Sequence, residues 1–124
     1  MTQEEKQLLL KDLCARLPYN NTMVRVEILD ENHAMMKGGT QDDELSIVWV
    51  GIVAAGNPYH IIKPYLRPMS SMTEEEKEEY NNARSDYYDD LETYDWLNAH
   101  HFDYRGLIEK GLALEAPEDM YKTE

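Results

Sequence analysis

A chain of 124 residues has the length of one domain, and its formal net charge of −13 sets it against polyphosphate partners, which it would repel over long range. Its single cysteine, Cys14, excludes an intrachain disulfide and any zinc site built from this chain's cysteines alone, which suits a reducing, cytoplasmic setting. Leu, Ile, Val and Phe make up only about one residue in five, so a folded core has to be modest and has to recruit Tyr, Met and Trp.

The charge is unevenly placed. Residues 1–72 carry nine acids against seven bases, and residues 73–124 carry sixteen against five, so the two parts hold −2 and −11. The aliphatic residues divide the other way. The expected organisation is a single domain over residues 1–124, with a helix and β core in 1–72, an acidic helical segment in 73–116 and a loose tail in 117–124.

In chain order, Thr2 and Glu5 form a capping-box pattern ahead of Leu9, Leu10, Leu13 and Leu17, and Pro18 stops this first helix. Charged residues around the Leu8 to Leu10 run do not resemble a secretory leader, and no apolar stretch approaches the roughly 20 residues of a membrane span. Val24, Val26 and Ile28 alternate with polar neighbours as in a half-buried strand, and a second short strand is expected over 34–37. Residues 45–54 are apolar on both faces and rich in β-branched side chains, which predicts the central strand, with Gly51 as a bulge or point of close approach. After Gly56-Asn57-Pro58 a fourth strand runs over 59–62 and leaves the sheet at Pro64, as an edge strand does. The fold class is therefore α+β, with a four-stranded antiparallel meander that is either open or curled into a small barrel.

Thr73 and Glu76 repeat the capping-box pattern before a helix reaching about residue 90, with Tyr80, Ala83, Tyr87, Leu91 and Tyr94 at three- and four-residue steps as one apolar stripe on an acidic surface. Thr93 is expected to cap a shorter helix bearing Trp96 and Leu97, Asp103 a third ending near Gly111, and 112–115 a last strand.

Few residues suggest chemistry. His100, His101 and Asp103 have metal-binding side chains, but adjacent helical residues point about 100° apart, so packing of His100 on Trp96 and a surface or turn position for His101 are favoured. Cys14 lacks a neighbouring base and reads as a half-buried core thiol. There is no phosphate loop, nucleophile elbow or dinucleotide fingerprint, and no catalytic residue, metal or cofactor is assigned. Arg25, Lys63, Arg67 and Tyr65, with Lys37, Trp49 and Tyr59 nearby, form the alternative reading of a small-barrel nucleic-acid binder, opposed by the net charge. The reading preferred is a non-catalytic protein-interaction module whose Glu75, Glu78, Glu79, Asp86, Asp89 and Asp90 face a basic protein surface.

Three segments carry a resemblance: Lys6 to Tyr19 (KQLLLKDLCARLPY), Lys63 to Glu76 (KPYLRPMSSMTEEE) and Asp95 to Pro117 (DWLNAHHFDYRGLIEKGLALEAP). They resemble a family of small uncharacterised proteins encoded by gut anaerobes and their phages or mobile elements. The resemblance implies a variable middle over 20–62, held between similar ends, as a recognition surface, and it brings no established activity. It transfers no catalytic or binding residue.

Overall fold

The computed structural model describes residues 2–19, 22–28, 39–56, 60–83, 90–117 and 119–121. The expected strand at 34–37 lies outside them.

Helix α1 (Gln3–Arg16) begins as the capping box requires, with Thr2 Oγ1 accepting from Glu5 N at 3.0 Å and Glu5 Oε1 accepting from Thr2 N at 2.8 Å. A 3₁₀ turn over Leu17–Tyr19 then carries the chain out of the helix. Strand β1 (Met23–Ile28) alternates as expected, with Val24 and Val26 fully buried. It pairs antiparallel with β2 (Gly39–Glu44) from Met23 opposite Glu44 to Ile28 opposite Gly39. On its other side it pairs antiparallel with β3 (His60–Leu66), with Val24 opposite Pro64. Strand β4 (Leu114–Glu115) joins β3 in parallel, so the order is β2-β1-β3-β4. The sheet is mixed and open, neither purely antiparallel nor a closed barrel. A final strand was expected at 112–115, but its parallel direction is not visible in a pattern of local alternation.

The main correction is at residues 45–54. The predicted central strand is instead a helix, α2 (Ile47–Ala55), and β1 holds the sheet centre. Val50 and Val53 are the buried members, three residues apart on one helical face, while Ile47 and Val48 stand 67 % and 61 % exposed. Ser46 supplies the extended N-cap, and Gly56 stops the helix in the left-handed region at φ 70°, its N–H directed to Ile52 O and Val53 O. Gly51 is thus an exposed helical residue with open space beside it, not a bulge. β3 is interior, not an edge strand. Pro64 is tolerated there because β4 starts pairing only at Tyr65.

The core gathers Leu9 and Leu13 of α1, Val50 and Val53 of α2, Val24, Val26, Ile62 and Leu66 of the sheet, and Leu107 and Leu112 from the chain leading into β4. Helix α3 (Glu74–Ala83) starts with the second capping box, Thr73 Oγ1 accepting from Glu76 N and Glu76 Oε1 from Thr73 N. Helix α4 (Asp90–Ala99) starts before the expected Thr93 cap. Its Trp96 stacks between Tyr80, His100 and Phe102, at ring distances of 5.7, 4.2 and 5.6 Å, which is how the C-terminal helices join the aromatic layer. Leu97 is buried, as expected, whereas Tyr87 and the Leu91 side chain lie outside the described part of the structure. Asp103 does cap a segment, its two oxygens accepting from Leu107 N and Ile108 N, but that segment is a series of turns and not a third helix. Among the described residues, no helix is long and apolar enough to cross a membrane.

Candidate functional site

The most concentrated group of polar side chains is buried where α1 meets the turn after α4. Asp12 and Arg16, one helical turn apart, are both fully buried, and Arg16 donates through Nε and Nη2 to the two carboxylate oxygens at 2.8 and 3.0 Å. Arg16 Nη2 also donates to Phe102 O, and Arg105 Nη1 reaches Asp12 Oδ1 at 2.8 Å. Both guanidinium groups face the Tyr104 ring. Arg16 Nη1 is buried without a partner among the described residues.

Beside this pair lies His101, buried and at φ 66°, its Nδ1 3.2 Å from Thr22 Oγ1. Burial first, and the Arg16 charge second, holds its pKa down at about 4, so the ring is neutral at pH 7. It stacks at 3.7 Å on Tyr121, whose hydroxyl accepts from Met23 N and donates to Tyr65 O. Burial pushes that phenol up to about 12. Thr22 and His101 have the reach of a nucleophile and its base, but exposures of 1 % and 5 % leave no room for a substrate. The group braces the fold.

The structure separates the side chains considered for metal. His100 Nδ1 is bonded to Trp96 O and its ring lies on Trp96, His101 faces Tyr121, and Asp103 caps Leu107. Among the described residues no group of three or more His, Cys, Asp or Glu is placed to hold a metal ion. His101 is a buried turn residue, not a surface one, at positive φ and with its ring stacked on Tyr121. Cys14 is exposed, not half-buried in the core, because the buried stripe of α1 runs through Leu9, Asp12, Leu13 and Arg16 and leaves it outside.

The nucleic-acid candidates are largely engaged. Arg67 makes a two-pronged pair with Glu76, at 2.7 and 2.6 Å, and lies 4.2 Å over the Phe102 ring. That guanidinium holds the Glu76 carboxyl down at about 2. Tyr65 donates its hydroxyl to Asp42, and Arg25 lies between Asp42 and Lys63 in the sheet with Glu27 at 3.8 Å. Lys37 and Tyr59 lie outside the described residues, and Trp49 sits on α2, its indole N–H donating to Asp43. Of the proposed acidic face, Glu75, Glu78 and Glu79 stand exposed at i, i+3 and i+4 on α3. Asp86 and Asp89 lie outside the described residues, and Asp90 opens α4.

The feature that sequence reasoning missed is an open cleft of about 810 Å³ between the start of α1, the end of α2, β3 and the turn at 110–112. Lys6, Lys63 and Lys110 border it, with Leu9, Ile52 and Leu112 among its apolar walls. These lysines are separated by dozens of residues in the chain, so no local motif announces them. No family model, no curated protein and no solved structure matches this chain.

Proposed function

We propose that the protein is a non-catalytic interaction module that docks a basic protein surface on the acidic face of α3, acting in the cytoplasm as an accessory or regulatory factor of a phage or mobile element. The observation that carries the reading is how the glutamates of α3 are sorted. Glu76 turns inward to Arg67, while Glu75, Glu78 and Glu79 stay in solvent on one side of the helix. Arg16, Arg67 and Arg105, meanwhile, spend their charges on internal carboxylates. With Lys77 paired to Glu74, the net exposed charge on α3 is acidic, and it favours a cationic partner with fast, salt-sensitive association. The same pairing of Arg67 weakens the nucleic-acid alternative.

The test is affinity capture from host lysate with wild type and with Glu75→Gln/Glu78→Gln/Glu79→Gln, at low and at raised salt. A partner retained by wild type, lost by the variant and weakened by salt supports the docking face. Equal recovery by both proteins removes it. Salt-sensitive gel shifts with DNA or RNA would revive the alternative.

A further inference from the structure

Residues 60–63 of β3 all line the cleft, although their side chains alternate between the two faces of the sheet. The cleft therefore reaches the backbone of β3 and not only the side chains of one face. The far end of the strand fixes which groups face it. Leu66 O accepts from Ala116 N at 2.8 Å on the β4 side, and the period of two turns the N–H and C=O of Ile62 and His60 the same way. Pro64 fits this phase, because it has no N–H to give β1 and the phase makes none necessary. β4 covers only Tyr65 and Leu66. Among the described residues, no strand pairs with 60–63 on this edge.

The surroundings select the occupant. Three of the chain's twelve Lys and Arg side chains, Lys6, Lys63 and Lys110, border the cleft of a protein that is otherwise strongly acidic. Its one carboxylate among the described residues, Glu5, is turned to the Thr2 N–H by the capping box. An unpaired strand edge recognises extended backbone of any sequence, and the lysines add a preference for carboxylates.

We propose that this cleft receives an extended acidic segment of a partner protein, which adds a strand to the free edge of β3 and is drawn there by the positive charge of Lys6, Lys63 and Lys110. The apolar side chains of the incoming strand would then meet Leu9, Ile52 and Leu112. This surface is distinct from α3 and goes beyond the function proposed for that helix.

The probe is a six-residue peptide of alternating glutamate and valine with blocked ends, titrated into isotope-labelled protein. A strand pairs through alternate amides, so two N-methylated versions are compared, each blocking one set. On binding, amide exchange should slow at His60 and Ile62, one N-methylated peptide should fail and the other should bind. The variant Lys6→Gln/Lys63→Gln/Lys110→Gln should weaken binding by about tenfold, the size expected for three exposed ion pairs. Glu75→Gln/Glu78→Gln/Glu79→Gln should bind the peptide like wild type, which keeps this proposal separate from the one on α3. Equal binding of both N-methylated peptides, the same response to inorganic phosphate alone, or no response to the acidic peptide at low salt would each overturn the strand-addition reading.

Discussion

Asp12 holds together more of the structure than any other single carboxylate described, because two guanidinium groups converge on it and one of them is fully buried. Asp12→Ala leaves Arg16 as an uncompensated buried charge and should cost about 3–5 kcal/mol in urea melts. Replacing both members, Asp12→Leu/Arg16→Met, removes the charge with its partner and should recover much of that loss. His101 gives a pH signature. Its folded pKa of about 4 lies below the ordinary 6.5, so between these values the unfolded chain binds a proton that the folded chain refuses. Stability should fall as pH drops from 6.5 to 4. Glu76, held at about 2 against an ordinary 4.5, should add a second fall from 4.5 towards 2. In melting temperatures measured against pH, His101→Asn should flatten the upper limb and keep the lower one, since asparagine also tolerates the positive φ. A variant with an unchanged upper limb would show that another group titrates there.

At the scale of elements, α3 depends on its first turn and on the Arg67–Glu76 pair that ties it to the end of β3. Thr73→Ala should cost about 1 kcal/mol and speed amide exchange within α3 more than in β1. Both capping boxes were legible in the sequence because each is complete within four residues. So was β1, whose alternation shows one buried face. The α2 segment was not. A short apolar run with β-branched side chains satisfies a buried strand and a buried helix equally, and the local signal for a helix was Gly56 after it, since the Ser46 side chain makes no capping bond. The burial of Arg16 was not legible either, because its backbone partner, Phe102, stands 86 residues away. The lysine cleft was hidden for the same reason, being assembled from α1, β3 and the turn before β4.

For the whole molecule, −13 charges in a compact fold repel one another, and exposed attractive pairs such as Lys77 with Glu74 are few among the described residues. Raising the ionic strength from about 0.01 M to about 0.15 M should therefore raise the melting temperature. A fall would mean that attractive pairs dominate. The burial of Arg16 also sets an order of events during synthesis. α1 leaves the ribosome long before Phe102 and Arg105 are made, so Asp12 and Arg16 have to wait as a hydrated pair and can be desolvated only when the chain beyond α4 arrives. A fragment ending before Phe102 should remain open to protease throughout residues 1–72, while the whole chain should resist it. On that outcome the aliphatic front of the molecule is no nucleus that the acidic back later decorates: assembly is one late event, timed by a guanidinium that loses its water only once Phe102 and Arg105 are in place.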